Sequence, residues 1–145
     1  MKTIALFFLL QLSLFSAQLH WTNEYNKALE DAQREHKPIY LLIVSDTCKW
    51  CRKFENLIMQ NKQIKVRVNK EFVTVLLSRD TDVIPKGLKT SPVPRHYFLD
   101  ERGDILYSSL GYRKAGTFNS FMDYAQEEYY NERLKDENNE TSTNN

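Results

Sequence analysis

The sequence predicts an α/β domain built on one mixed sheet with helices on its faces. Ile39–Val44 and Phe72–Leu77 are two unbroken, β-branched apolar runs, the pattern of strands covered on both faces. Apolar residues at helical spacing lie before, between and after them. Tyr97–Leu99 and Ile105–Leu110 form a third and fourth strand joined by Glu101-Arg102-Gly103-Asp104, a turn sequence. The order helix, strand, helix, strand, loop, strand, strand, helix fits a single sheet with parallel and antiparallel pairs.

Taken in order, Trp21, Tyr25, Ala28, Leu29 and Ala32 share one helical face. That helix ends near His36-Lys37, because Pro38 disfavours helical backbone just before it. After the first strand and the connector Ser45-Asp46-Thr47, Cys48 opens a second helix whose inner face is Phe54, Leu57 and Ile58. Asn61 and Lys62 break or bend it, and Ile64 and Val68 continue the pattern. Pro85, Gly87 and Pro92 make Ser78–Val93 a loop with at most one helical turn. Phe118, Phe121, Met122, Ala125 and Tyr129 mark the last helix.

The chain has 145 residues, 41% hydrophobic and 27% charged, enough for one domain with a real core. A formal charge of +1, with basic residues scattered along the sequence, gives no strong electrostatic drive toward nucleic acid or an acidic partner. Residues 1–17 read as an export signal: Met1-Lys2 is a basic start and Ile4–Leu14 an apolar run too short to span a membrane comfortably. The cut falls near Ser16 or Ala17, and an uncut signal would remain as an anchor. The expected organisation is therefore a signal over 1–17, a folded domain over 21–133 and a disordered polar tail over 134–145, in a periplasmic or otherwise secreted protein. Asn139-Glu140-Thr141 in that tail is a glycosylation sequon.

The only cysteines are Cys48 and Cys51. A bridge across so short a loop restricts the unfolded chain little, so stability is a poor reason for the pair. Position is a better one. A thiol at a helix N-terminus faces unpaired N–H groups and the positive end of the helix dipole, which favour the nucleophilic thiolate. Lys49, Arg52 and Lys53 add positive charge, and Asp46 opposes it. Cys48 is then the attacking thiolate and Cys51, one turn later, resolves the mixed disulfide. Haem attachment fails because Arg52 stands where histidine is needed. An inert disulfide remains an alternative. So does a binding module for a protein or a metal, with His20, His36, His96 or carboxylates as further ligands, although no second cysteine pair or histidine cluster supports a metal.

Lys37-Pro38-Ile39 through Val44, followed by Cys48-Lys49-Trp50-Cys51-Arg52-Lys53-Phe54-Glu55, resembles the active-site strand and helix of thioredoxin-like proteins. The similarity is greatest to periplasmic members and to the thioredoxin-like C-terminal domain of the disulfide reductase DsbD. Val93-Pro94-Arg95-His96-Tyr97-Phe98-Leu99-Asp100 matches the family's Pro-Thr-X-X-Phe-X-Asp strand, and Gly103 and Gly111 fall at its hairpin and following glycine. The resemblance covers Trp21 to Tyr130. It implies a thioredoxin-like fold, a protein-disulfide oxidoreductase without cofactor or metal, and a monomer that meets protein thiols or disulfides and a redox partner protein. It further implies a cis Val93–Pro94 bond, pairing of the Val93 backbone with a bound substrate strand, and Trp50 as a contact surface at the rim. By analogy with DsbD, reduction is favoured over oxidation or isomerisation.

Three positions depart from the family pattern. Thr47 stands where tryptophan is common, Arg95 where threonine follows the proline, and Leu42 where familiar thioredoxins carry a buried acid. Proton transfer at Cys51 then needs water or another group. Asp46 is a candidate but reads as a loop acid in solvent, and His96 reads as a packed, hydrogen-bonded strand residue.

Overall fold

The structure, a computed structural model, describes residues 18–143. The signal-peptide reading of 1–17 lies outside the described residues. The elements are α1 (Tyr25–Glu35), β1 (Ile39–Val44), α2 (Lys49–Leu57), α3 (Lys62–Glu71), β2 (Val73–Ser78), β3 (Arg95–Leu99), β4 (Ile105–Leu110) and α4 (Ala115–Thr143). The four strands form one sheet in the order β2-β1-β3-β4. β1 runs parallel to β2 and antiparallel to β3, and β3–β4 is an antiparallel hairpin. This is the mixed sheet flanked by helices that the sequence predicts.

β1 is the central strand, and every residue from Ile39 to Ile43 is fully buried. Its side chains alternate between two cores, as strand geometry requires. Tyr40 and Leu42 join Phe54, Phe98, Phe118 and Met122 on the face covered by α2, α3 and α4. Ile39, Leu41 and Ile43 join Ala28, Ala32, Val75, Leu77, Tyr97 and Leu99 on the other, beneath α1. The 79–94 loop closes the second core by packing Ile84, Leu88 and Val93 on it, and the Lys89 N–H donates to the Tyr97 hydroxyl at 2.8 Å.

Two local expectations are corrected, and the expected break at Asn61 is present. Trp21 is not on a helix. Residues 18–22 run along the outer edge of β2, where the Thr22 N–H donates to the Thr74 carbonyl and the Leu76 N–H to the Thr22 carbonyl, and Trp21 packs on Tyr40 at 5.9 Å. These bonds satisfy the sheet edge, and α1 starts only at Tyr25. Leu57 is 56% exposed rather than inward, because the chain turns after it and buries Ile58 and Met59 instead. Asn61 begins a separate helix, its side chain accepting from the Ile64 N–H at 3.1 Å as an N-cap.

The tail expected to be disordered from 134 is instead helical as far as Thr143. Beyond Leu134 the described side chains are exposed and form no apolar face. Ion pairs hold the start of this stretch, Lys135–Glu132 and Arg102–Asp136, both at 2.7 Å.

Candidate active site

Buried β1 ends at Val44, and the Cys48 N–H donates to the Ser45 carbonyl at 3.1 Å, turning the chain into α2. Cys48 is the N-cap of that helix, with extended backbone, and its sulfur accepts the Cys51 N–H at 3.0 Å. Cys48 and Cys51 form a disulfide with Cα atoms 5.2 Å apart. The two sulfurs are unequal in access: Cys48 is half-buried and Cys51 is 1% exposed. An incoming reagent reaches Cys48. The same helix N–H that contacts its sulfur here would stabilise a thiolate after reduction.

The second wall of the site comes from β3. Arg95 pairs with Ile43, so the start of β3 lies beside the end of β1 and the turn into α2. The Val93–Pro94 peptide is cis, as the resemblance implies, and Ser91–Pro92 is also cis, which the sequence reading did not anticipate. Trp50, Val93 and Pro94, all singled out from sequence, line one shallow groove of about 330 Å³ together with Gly111 and Tyr112. Trp50 is 52% exposed, its ring centroid 6.0 Å from that of Tyr112. The Lys53 ammonium stands over both rings, at 5.0 and 5.2 Å from the centroids.

Gly111 is fixed from two sides. Its N–H donates to the Pro94 carbonyl at 2.7 Å, and its carbonyl lies 3.0 Å from His96 Nε2. A carbonyl only accepts, so Nε2 carries the proton and Nδ1 accepts from the Tyr40 hydroxyl at 2.9 Å. Gly111 adopts φ +86°, where a side chain would be strained. His96 is fully buried, and desolvation lowers its pKa to about 4; the Gly111 bond opposes the shift and the Arg113 charge adds to it. Burial likewise pushes the Tyr40 hydroxyl well above its ordinary range, with Glu55 adding to the effect.

Leu42 faces His96 across the β1–β3 pair, so a neutral imidazole is the cross-strand partner of the position lacking the acid. The reading of His96 as a packed strand histidine holds. Asp46 is exposed but bound, its carboxylate accepting from Ser78 Oγ at 2.9 Å and its carbonyl from Arg52 at 3.0 Å. Glu55 was missed as a functional residue. It lies one turn after Cys51 on the same face of α2, half-buried, and desolvation raises its carboxyl pKa against the lowering influence of Arg52. The i+4 spacing from Cys51 was the available signal. Tyr112 was also missed, because nothing in a Gly-Tyr pair after a strand says which wall it will build. Among the described residues, no group of three or more His, Cys, Asp or Glu side chains could hold a metal ion, and no helix is long and apolar enough to cross a membrane.

A mixed sheet that delivers a Cys-X-X-Cys disulfide to a helix start, opposite a cis-proline, defines a thioredoxin-like protein with a thiol–disulfide site. Residues 7–85 match the model of the Thioredox_DsbH family, described as a protein of unknown function, DUF255, and the chain belongs to that family. It is 41% identical over 51 residues to the disulfide bond reductase DsbH of Chlamydia pneumoniae, a match covering 34% of this chain and 30% of that protein. It is 35% identical over 60 residues to rat spermatogenesis-associated protein 20, covering 41% of this chain. That match spans only 8% of the rat protein's length. A solved DsbH oxidoreductase shares the fold with TM-score 0.64 at 24% identity, covering 81% of this chain and 92% of that one. The reduced DsbD C-terminal domain of Neisseria meningitidis, the domain type the sequence resembles, does so with TM-score 0.56 at 18% identity, covering 72% and 93%.

Proposed function

We propose that this chain is a protein thiol–disulfide oxidoreductase of the periplasm or another exported compartment, working chiefly as a reductant. The observation that carries the reading is the unequal pair at the start of α2: an accessible Cys48 on the helix N-terminus and a buried Cys51 behind it. In the reduced protein the Cys48 thiolate attacks one sulfur of a substrate disulfide. A Cys48–substrate bond forms, the substrate S–S bond breaks, and the departing sulfur takes a proton. The Cys51 thiol then gives up its proton and attacks the Cys48 sulfur, releasing the second substrate thiol and forming the Cys48–Cys51 disulfide. Two electrons pass to the substrate, and a redox partner protein restores the dithiol.

Glu55, half-buried one turn beyond Cys51, is the α2 carboxylate placed to take the Cys51 proton in the absence of an acid at Leu42. Trp50, Val93 and Pro94 receive the substrate, with the Val93 backbone pairing an extended segment. The reductive direction draws on the C. pneumoniae relative, a disulfide bond reductase by name, and export draws on the apolar run Ile4–Leu14. Fractionation of cells expressing the full chain, with turnover of a protein disulfide by the purified dithiol form, tests both. A folded, reduced protein that leaves every protein disulfide intact would refute the activity.

A further inference from the structure

The groove beside the disulfide has a composition of its own. Its walls are two aromatic rings, a valine, a proline and a glycine backbone, and one ammonium at the rim. Arg113 adds a second cation, its guanidinium donating to the Tyr112 carbonyl at 3.1 Å. The stretches around the groove-lining residues, 47–54, 91–95 and 110–114, carry six Lys and Arg and no Asp or Glu, with Asp46 and Glu55 immediately flanking the first. The chain as a whole has 20 basic and 19 acidic residues, so all the acidic ones lie elsewhere. Six of the 20 basic residues thus fall in the stretches the fold brings together around the groove.

The volume, about 330 Å³, suits one large side chain rather than a folded surface. Gly111, held by Pro94 on one side and by buried His96 on the other, keeps the Tyr112 wall in place before any partner arrives. Trp50 and Tyr112 present ring faces for apolar contact, and Lys53 above them lacks a carboxylate among those segments.

Resting on the reading of this site as a thiol–disulfide exchange centre, we infer that its protein substrates present a cysteine flanked by a large apolar or aromatic side chain and an acidic residue. The apolar side chain seats between Trp50 and Tyr112 against Pro94, and the carboxylate meets Lys53 and Arg113. Substrates with lysine or arginine at that flank are disfavoured by the same charges.

The test measures kcat/KM of the reduced protein toward short peptide disulfides differing only beside the cysteine: Phe with Glu, Ala with Glu, and Phe with Lys. The inference expects the Phe–Glu peptide to be reduced about tenfold faster than the Ala–Glu peptide. It should also exceed the Phe–Lys peptide by about threefold at low salt, with the charge preference shrinking as salt is added. Lys53→Glu should remove or invert the charge preference, and Tyr112→Ala should compress the Phe-to-Ala ratio. Each ratio is taken on one sample, so a partly folded variant cannot mimic the effect. Equal rates for the three peptides overturn the inference and leave the exchange reading intact. No reaction with any peptide by a folded, reduced protein refutes the exchange reading and the inference with it.

Discussion

The His96 imidazole donates from Nε2 to the Gly111 carbonyl across 3.0 Å, tying the interior of the sheet to the loop that forms one wall of the groove. The imidazole is neutral in the folded protein, with a pKa of about 4, and it charges in the unfolded chain near its ordinary value of 6.5. Between those values the unfolded state binds more protons, so stability falls as pH drops from 6.5 to 4, by an order of 3 kcal/mol from this group. His96→Leu removes that component. Urea unfolding of both proteins across this window should show their difference in stability narrowing as pH falls. A difference independent of pH would contradict the buried neutral assignment.

Glu55 sets a prediction for the resolving step. Its carboxyl pKa is raised by burial, and it sits one turn from Cys51. Glu55→Gln should slow closure of the Cys48–Cys51 disulfide from a mixed disulfide by about tenfold or more. It should also remove one ionisation from the pH–rate profile of that step. Stopped-flow decay of a chromogenic mixed disulfide reads both, and an unchanged profile would exclude Glu55 as the proton acceptor.

Asn61 caps α3 through its side chain. Asn61→Ala should cost about 1 kcal/mol of stability by leaving the Ile64 N–H without this partner. Chemical denaturation measures the loss. An unaffected midpoint would show that the break between α2 and α3 is held by the burial of Ile58, Met59 and Ile64 alone.

The distal part of α4 is joined to the domain through the Arg102–Asp136 ion pair, both side chains half-exposed. Pairs of this kind contribute about 0–1 kcal/mol. Removing residues after Leu134 should therefore change the urea midpoint little, while Tyr129 and the residues before it keep the core closed. A large loss of stability would mean that the last turns carry packing not evident in their exposed side chains.

β1 and β4 were legible in the sequence to the residue, because Ile39–Val44 is unbroken apolar sequence between Pro38 and polar Ser45, and Gly103-Asp104 and Gly111 bracket Ile105–Leu110. Cys48, Cys51 and the grouping of Trp50, Val93 and Pro94 were legible too, the last three through family resemblance rather than periodicity. What escaped depended on tertiary contacts. Trp21 shares helical spacing with Tyr25 and Ala28, yet the free edge of β2 captures Thr22 as a bridge partner. Leu57 sits at the border of the α2 apolar face, and the turn after it decides its exposure. The helix beyond Leu134 has the polar composition of a disordered tail, and its ion pair to Arg102 comes from a hairpin far away in sequence. Tyr112 became a groove wall only because Gly111 is clamped between Pro94 and His96.

In the proposed cycle Cys48 attacks and Cys51 resolves. Cys51→Ser leaves the attack possible and removes the resolution, so the reduced variant mixed with an oxidised protein substrate should accumulate a one-to-one mixed disulfide. Mass spectrometry of the digested adduct should place the bond on Cys48. A folded Cys51→Ser protein that forms no adduct at Cys48, while the wild type reduces the same substrate, would contradict the account.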